Sequence, residues 1–273
     1  MVGTLFIVAT PIGNLEDITL RALRVLREVD VIACEDTRQT GKLLTHFGIE
    51  KPNVSYHEHN ETARTAELVK RLEAGASVAL VSDAGTPLVS DPGYRLVQAA
   101  IAAGVTVTPI PGSSAAITAL SGAGLPTAAF RFCGFLPAKS SQRRKLLEQF
   151  KTDHCTLVFY ETPHRILDAL EDVEAVMGNR PAVVARELTK LHEEFLRGTA
   201  QEIRVELAAR PSVKGEFTLL LGKPDETPVT DDAPVEEAVR EAESLGLSRM
   251  DAIKHVARQR GLNKRDVYRK LTE

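Results

Sequence analysis

Cysteine is scarce in this chain of 273 residues, which has three: Cys34, Cys133 and Cys155. Three thiols are too few, and odd in number, to form a disulfide framework, and each lies in an apolar stretch typical of a strand. The chain also lacks a CxxC motif or a cluster of cysteine and histidine, which argues against a structural zinc site. We therefore expect a reduced, cytoplasmic protein without a bound metal.

Features of secreted and membrane proteins are also missing. The first residues lack a basic segment and a cleavage site, so we interpret them as a strand that begins at once and not as a signal peptide. Residues 96–130 carry no charged side chain, but several glycines and prolines interrupt them, so we predict helix, strand and loop in place of a membrane span. With 43% apolar and 26% charged residues, a disordered, collagen-like or coiled-coil chain is excluded.

The net charge of −3 conceals two blocks of opposite sign. Residues 225–248 hold eight acidic side chains against one basic, whereas residues 249–273 hold eight basic against three acidic. A basic block of this kind is typical of a contact with phosphate, and equally of a solvated helical face that pairs with the acidic block. Charge alone leaves both interpretations open.

Strand-like and helix-like segments alternate along the first 110 residues, which predicts a mostly parallel sheet with helices on both faces. The predicted strands are residues 5–10, 31–35, 53–57, 78–82 and 105–110, and the helices are residues 19–29, 61–74 and 93–103. After a small-residue helix at 113–121, the strands have a more hairpin-like spacing. We therefore predict an α/β protein with one domain over residues 1–120 and a second over residues 121–223.

A third part follows these two domains. Residues 224–234 are acidic and rich in proline, which predicts a linker, and residues 235–273 predict a small module of three helices. Ala257, Gly261 and Val267 have the spacing of a helix-turn-helix, in which small residues let two helices cross closely. That shape serves nucleic-acid binding in some proteins and simple packing in others.

Four loops of unusual composition follow predicted strands of the first domain: residues 10–17 (TPIGNLED), 35–38 (EDTR), 83–93 (DAGTPLVSDPG) and 111–115 (PGSSA). Because an open parallel sheet binds ligands outside the carboxyl ends of its strands, these loops predict a single site. The first loop lacks GxGxxG, the chain lacks GxxxxGK[ST], and the loops are neutral or acidic, which argues against dinucleotides and polyphosphates. Asp83 and Asp91 suit a ligand with hydroxyls, an amino group or a sulfonium.

Eight segments together closely resemble the ribosomal RNA small-subunit methyltransferase I family, which belongs to a tetrapyrrole-methylase-like superfamily. They are residues 9–15 (ATPIGNL), 33–38 (ACEDTR), 82–93 (SDAGTPLVSDPG), 109–114 (PIPGSS), 134–137 (GFLP), 159–165 (FYETPHR), 186–190 (RELTK) and 215–218 (GEFT). The superfamily's usual G-x-G-P-G is TPIGN here and its usual G-D-P is GTP. Both departures fit the rRNA branch and count against a precorrin or uroporphyrinogen methylase.

This resemblance implies a tetrapyrrole-methylase fold of two α/β domains, with S-adenosylmethionine in the cleft between them. It also implies a homodimer that methylates a cytidine ribose 2′-oxygen in the decoding region of 16S rRNA in the 30S subunit, with no membrane or DNA partner. The residues expected at the cofactor are Pro11, Asp83, Gly85, Thr86, Val89, Ser113, Ser114, Ala115, Tyr160, Ala185 and Glu216. A methylase of a small tetrapyrrole and a non-catalytic RNA-binding assembly factor remain as alternatives.

Methyl transfer to a hydroxyl requires alignment and removal of the hydroxyl proton. The candidate general bases at predicted strand ends are Asp36, Asp91 and Glu187, although Asp36 with Arg38 and Glu187 with Arg186 equally suit structural ion pairs. The residues expected to contact RNA phosphates are Arg38, Lys139, Arg143, Arg144, Lys264, Arg265, Arg269 and Lys270. The nearby rings of Phe132 and Phe135 are predicted in the core in preference to stacking on bases.

Overall fold

The computed structural model describes residues 2–224, 234–244 and 246–271. The chain separates into two compact units, Met1–Lys223 and Pro224–Glu273. Most of the predicted linker, residues 225–233, lies outside the described residues. No helix in the described residues combines the length and the apolar character that crossing a membrane requires.

The first sheet of Met1–Lys223 is parallel throughout, as the alternation of strands and helices predicts. Its strands are β1 (Thr4–Val8), β2 (Val31–Cys34), β3 (Asn53–Ser55), β4 (Val78–Val81) and β5 (Thr106–Ile110), in the order β3-β2-β4-β1-β5. The helices between them are α1 (Leu20–Glu28), α2 (Thr37–His46), α3 (Glu61–Glu73) and α4 (Tyr94–Ala102). Alternate residues of β4 pack into two apolar clusters, one on each face, because helices cover both sides of the sheet.

The second sheet is mixed. Its strands are β6 (Phe130–Phe135), β7 (Thr156–Glu161), β8 (Pro181–Arg186), β9 (Glu194–Thr199) and β10 (Phe217–Leu221), in the order β6-β7-β10-β8-β9. Strands β6 and β7 pair in parallel, and the other pairings are antiparallel. The associated helices are α5 (Ala115–Ala123), α6 (Ser140–Phe150), α7 (Ile166–Met177) and α8 (Ala200–Ala208).

Helix α5 connects the two sheets. It begins five residues after β5 ends, and its residues Ala116, Ala119 and Leu120 pack in one apolar cluster with Val158 and Leu220 of the second sheet. The other face of that sheet packs against α6, α7 and α8. The chain therefore passes from the carboxyl-end edge of the parallel sheet, through α5, directly to the mixed sheet.

Helix α2 is not among the helices that the sequence predicts, since residues 35–38 are interpreted as a loop and the residues that follow are assigned to no element. Two of its ten side chains, Thr40 and Leu44, are buried, so the sequence has little of the apolar period that announces a helix. Its start depends on a local contact instead: the carboxylate of Asp36 accepts a hydrogen bond from the backbone N–H of Arg38 at 2.8 Å. Asp36 is therefore the N-cap of a helix.

The second unit contains α9 (Val235–Ser244), α10 (Arg249–Gln259) and α11 (Lys264–Lys270), close to the three predicted helices. Val239, Ile253 and Val267 are among the side chains that form its core. Gly261 has φ of +62° in the turn before α11, and nothing lies within 4 Å of where its Cβ would be. The glycine thus permits the left-handed turn. The predicted role of Gly261, to let two helices pack closely, is wrong.

Candidate active site

A cleft of about 380 Å³ lies between the carboxyl-end loops of the parallel sheet and the second sheet. The structure brings together in its lining eight of the residues predicted at the cofactor, namely Asp83, Gly85, Thr86, Val89, Ser114, Ala115, Tyr160 and Glu216. Pro11, Ser113 and Ala185 are not among the lining residues. The lining also includes ten residues that the sequence did not predict at the cofactor: Ile12, Ala84, Ser90, Phe135, Glu161, Thr162, Pro163, Leu188, Phe217 and Thr218. All ten lie in the family-like segments, which were therefore the signal that could have found them.

Two of the loops are joined by backbone hydrogen bonds. The N–H of Thr10 donates to the carbonyl of Gly85 at 2.9 Å, and the N–H of Gly85 donates to the carbonyl of Thr10 at 3.0 Å. The Thr10 hydroxyl also donates to the carbonyl of Ser82 at 3.1 Å. Gly85 has φ of +85°, a conformation that side chains with a Cβ rarely adopt. The loops after β1 and β4 therefore form one rigid floor of the cleft.

Backbone strain is concentrated in the loop after β4. Leu88 and Ser90 have φ of +72° and +67°, on either side of Val89, which lines the cleft. Left-handed conformations of non-glycine residues cost on the order of 1–3 kcal/mol each and persist where the surroundings enforce them. Such strain is concentrated at ligand-binding sites in proteins, and it marks this loop as part of the site.

Asp91 combines a position in the cleft with an unusual electrostatic environment. Burial, and to a lesser degree the neighbouring carboxylates of Glu35 and Asp83, together raise its pKa to about 6. A carboxylate whose pKa lies near neutrality can accept a proton at working pH and release it again. Asp91 therefore has both the position and the pKa of a general base.

The other two candidate bases do not line the cleft. Side-chain and backbone hydrogen bonds from Arg38 lower the pKa of Asp36 to about 2. A hydrogen bond from the Lys190 ammonium at 2.9 Å lowers the pKa of Glu187, whose carboxylate also accepts from the backbone N–H of Glu216 at 3.0 Å. Both carboxylates therefore hold structural partners. Asp36 pairs with Arg38, as one interpretation of the sequence predicts, whereas Glu187 pairs with Lys190 in place of Arg186, whose guanidinium contacts Glu194.

The second sheet supplies aromatic side chains to the cleft. The Tyr160 hydroxyl accepts a hydrogen bond from the N–H of Ala116 at 3.3 Å, in the first turn of α5. Ser114 occupies the N-cap position of that helix, but its hydroxyl makes no capping hydrogen bond there. The ring of Phe135 lies 5.6 Å from that of Tyr160 and is 50% exposed, so its prediction as a core residue is wrong. Phe132, 4.9 Å from Tyr160, packs against the core as predicted.

Lys190 contacts Glu216, a residue that lines the cleft, without lining the cleft itself. Its ammonium donates to the carboxylates of Glu187 and Glu216, both at 2.9 Å. The aliphatic stem crosses Gly13 so closely that a Cβ there would lie 2.5 Å from the Lys190 Cγ. Lys190 therefore holds the first loop of the parallel sheet against the second sheet, and Gly13 is the residue that leaves room for it.

The predicted RNA contacts divide into exposed and buried groups. Arg143 is 2% exposed, and its guanidinium donates to the buried carboxylate of Asp172 at 2.6 Å. This corrects the prediction for Arg143, because a side chain enclosed in the fold has no surface to offer RNA. Arg144 contacts the same carboxylate at 2.5 Å but stays half exposed. The exposed members of the set are Arg38, Lys139, Arg144, Lys264, Arg265, Arg269 and Lys270.

Comparison with known proteins agrees with this geometry. A model of the tetrapyrrole (corrin/porphyrin) methylase family matches residues 4–204. The uroporphyrin-III C-methyltransferase of Thermus thermophilus, solved with S-adenosyl homocysteine, superposes with a TM-score of 0.55 over 81% of this chain and 97% of that one. At 20% identity that likeness concerns the fold.

Closer relatives are found among curated proteins. The ribosomal RNA small subunit methyltransferase I of Halalkalibacterium halodurans is 52% identical over 272 residues, covering 97% of this chain and 93% of that protein. The protein of the same name from Haemophilus influenzae is 47% identical over 273 residues, covering 98% and 96%. The chain belongs to the tetrapyrrole methylase family, within its branch of ribosomal RNA small subunit methyltransferases I. The fold class and family predicted from the sequence are confirmed.

Proposed function

We propose that this chain transfers a methyl group from S-adenosylmethionine to the ribose 2′-oxygen of a cytidine in the decoding region of 16S rRNA. The observation that carries the proposal is Asp91, a half-buried carboxylate with a raised pKa, in a cleft of a chain that is 52% identical to a ribosomal RNA small subunit methyltransferase I. The coarser part of the proposal, methylation of ribosomal RNA, follows the names of the curated relatives. The choice of the ribose oxygen and of cytidine follows the family resemblance.

The composition of the cleft suits the proposed cofactor. None of the described residues that line it is lysine, arginine or histidine, so it offers no side-chain cation to a polyphosphate. Asp83 and Glu216 offer carboxylates to ribose hydroxyls or an amino group, whereas Ile12, Val89 and Leu188 offer an apolar surface to a flat base. S-adenosylmethionine, when bound, supplies an electrophilic methyl carbon on a positively charged sulfur.

The chain's own residues account for the rest of the reaction. The carboxylate of Asp91 would accept the proton of the ribose hydroxyl while that oxygen bonds to the methyl carbon and displaces the cofactor's sulfur, which leaves as a neutral thioether. The strained loop containing Val89 and the hydrogen-bonded loops at Thr10 and Gly85 hold the site in one geometry. Rigid alignment matters because orientation contributes a large part of the rate in a displacement reaction.

Binding of the RNA is assigned to the exposed cations. Arg38, Lys139 and Arg144 belong to the first unit, and Lys264, Arg265, Arg269 and Lys270 belong to the second. Cations on a protein surface release counterions from phosphates, which makes such binding dependent on salt. In this proposal the enzyme acts as a homodimer on the 30S subunit in the cytoplasm.

A small tetrapyrrole remains the rival substrate, since solved neighbours of this fold include a uroporphyrin-III C-methyltransferase. The stronger similarity to proteins named for ribosomal RNA and the basic C-terminal helices favour RNA. A non-catalytic RNA-binding factor is the rival from another class, and it does not require the raised pKa of Asp91.

Labelled S-adenosylmethionine distinguishes these functions. We would incubate the protein with 30S subunits, free 16S rRNA and a uroporphyrinogen, each separately, and then digest the labelled RNA with alkali. Label in an alkali-resistant dinucleotide identifies a 2′-O-methyl group and supports the proposal. Label in the tetrapyrrole alone supports the rival enzyme, and no transfer to any substrate supports the non-catalytic factor.

A further inference from the structure

A second cavity of about 510 Å³ lies beside the cleft. Ser90 and Asp91 line both spaces, so the second cavity leads directly to the candidate general base. Glu58, Glu61, Tyr94 and Arg95 also line it, and neither the cofactor nor the mechanism above uses any of them. A reaction between two molecules at Asp91 needs a place for the acceptor as well as for the donor.

Tyr94 presents an aromatic ring to this space without a folding role. It is the first residue of α4 and is 68% exposed, whereas Leu96 and Ala100 of the same helix are fully buried. Aromatic side chains at the edge of a binding site stack on unpaired nucleobases, and this contact is worth about 1–3 kcal/mol per base when removed by alanine substitution. The ring is placed where it can stack on an RNA base that is not paired in a double helix.

The two glutamates of the cavity differ in what they already bind. The carboxylate of Glu61 accepts from the Arg95 guanidinium at 2.5 Å, so it is committed to an ion pair. Glu58 is exposed, and its carboxylate accepts no hydrogen bond within the part of the chain that the structure describes. A carboxylate accepts hydrogen bonds from the exocyclic amino group of cytosine, whereas uracil presents a carbonyl oxygen at the same position. Glu58 can therefore distinguish these two bases.

We propose that this second cavity holds the target nucleoside of the RNA, with Tyr94 stacked on the base, Glu58 accepting a hydrogen bond from its amino group and the ribose directed toward Asp91. The inference rests on the proposed function, because it takes RNA as the methyl acceptor. It adds a physical reason for the choice of cytidine over uridine. Arg95 pairs with Glu61, and its side chain is still 62% exposed, so the same guanidinium can also face the neighbouring phosphate.

Stacking is tested by single-turnover methyl transfer from labelled S-adenosylmethionine to 30S subunits. We expect Tyr94→Ala to lower kcat/KM about tenfold, within the range found for base stacking. Tyr94→Phe should keep most of the wild-type value, since the ring is preserved. Ile101→Ala, at an exposed position of the same helix, is the control that should change nothing. Affinity for S-adenosylmethionine, measured by calorimetry, should be unchanged in all three variants.

Base recognition is tested with 30S subunits reconstituted from 16S transcripts. These transcripts carry either cytidine or uridine at the position that the wild-type enzyme methylates. The wild-type enzyme should prefer cytidine at least tenfold, and Glu58→Gln should reduce that preference to less than threefold, because an amide can also donate to the uracil oxygen. Glu73→Gln, at an exposed position of α3, is the matched control.

The outcomes separate this inference from the proposed function. If the wild-type enzyme labels no RNA, both are overturned. If it labels RNA while Tyr94→Ala matches Ile101→Ala and Glu58→Gln keeps the wild-type preference, the cavity does not hold the nucleoside and the function stands. A loss in Tyr94→Ala with an unchanged preference in Glu58→Gln would keep the stacking contact and overturn the recognition of the amino group.

Discussion

The two sheets of Met1–Lys223 make different contributions to one cleft. The parallel sheet places the carboxyl ends of its strands at a single edge, where Asp83, Asp91 and Ser114 lie. The mixed sheet contributes Tyr160 and Phe217, which serve as a wall. Parallel strands necessarily bring their following loops together, whereas antiparallel strands divide theirs between two edges. The parallel sheet therefore brings polar side chains together at one edge, and the mixed sheet forms the facing wall of the cleft.

The electrostatic contrast lies between individual carboxylates and does not follow the two sheets. Beside the parallel sheet, burial and the carboxylates of Glu35 and Asp83 raise the pKa of Asp91, whereas hydrogen bonds from Arg38 lower that of Asp36. On the mixed sheet, hydrogen bonds from Lys190 lower the pKa of Glu187, and burial raises that of Glu161. A carboxylate held by a cation gives up its basicity, so Asp91 is the candidate base best suited to catalysis.

Filling the cleft, which both sheets line, should have the largest effect on binding of the cofactor. Ser114→Trp places an indole between the parallel-sheet loops and Tyr160, and we expect affinity for S-adenosylmethionine to fall more than 100-fold by calorimetry. The hydroxyl of Ser114 makes no capping hydrogen bond, so the melting temperature should change little. Ser121→Trp, on the exposed side of the same helix, should bind the cofactor normally. Equal affinity in both variants would show that the cofactor binds elsewhere.

Removing the carboxylate of Asp91 should have the next largest effect, on the rate of methyl transfer. Asp91→Asn should slow single-turnover methyl transfer about 100-fold, the usual size of a general-base contribution, and leave cofactor binding intact. Asp36→Asn and Glu187→Gln remove paired acids and should slow transfer less than threefold. A large loss in either of these with none in Asp91→Asn would show that Asp91 is not the general base.

The pH dependence sharpens the same test. The wild-type rate should rise about tenfold per pH unit below about pH 6 and level off above it, because Asp91 must lose its proton to act as a base. In Asp91→Asn this rise should disappear. An unchanged profile in the variant would assign the ionisation to another group.

A chain that ends at Lys223 tests the contribution of the second unit. The closing strand β10 ends at Leu221, so this chain should fold and bind S-adenosylmethionine. We expect its KM for 30S subunits to rise about tenfold with a smaller salt dependence, since the basic helices are lost. Changing Lys264, Arg265, Arg269 and Lys270 together to Glu should mimic the truncation. A wild-type KM in both would leave those helices without a role in RNA binding.

The smallest effect that we expect is a change in the melting temperature of Asp91→Asn. The pKa of Asp91 is raised to about 6 in the folded state, so stability is lost as the pH rises from the ordinary carboxyl pKa to about 6, and the ionisation has no effect well below that range, where both states are protonated. Asp91→Asn should therefore melt about 2–4 °C above the wild type at pH 8, a shift of about 1 kcal/mol after allowance for partial exposure, and at about pH 2.5 the two proteins should melt at the same temperature. A difference that persists at this low pH would have another origin.

Much of the architecture could be predicted because its signals are local. Thr19 was predicted to begin α1, and its hydroxyl accepts the capping hydrogen bond from Ala22 at 3.0 Å. Helix α2 was missed because a carboxylate cap and two buried side chains leave almost no periodic pattern. Arg143 and Phe135 were misplaced for a related reason: a sequence shows that a side chain is basic or aromatic, but its exposure depends on distant partners such as Asp172 and Tyr160.

By itself, the sequence determined the family, the order of strands and helices in the first domain apart from α2, and the four loops that had to meet at one edge of a parallel sheet. Those properties follow from residue periodicity and from turn residues that act over a few positions. Only the tertiary structure decided which carboxylates are paired. Asp36, Asp91 and Glu187 are equivalent as residue types, but their pKa values depend on burial and on neighbours that the fold brings together, and only Asp91 of the three lines the cleft.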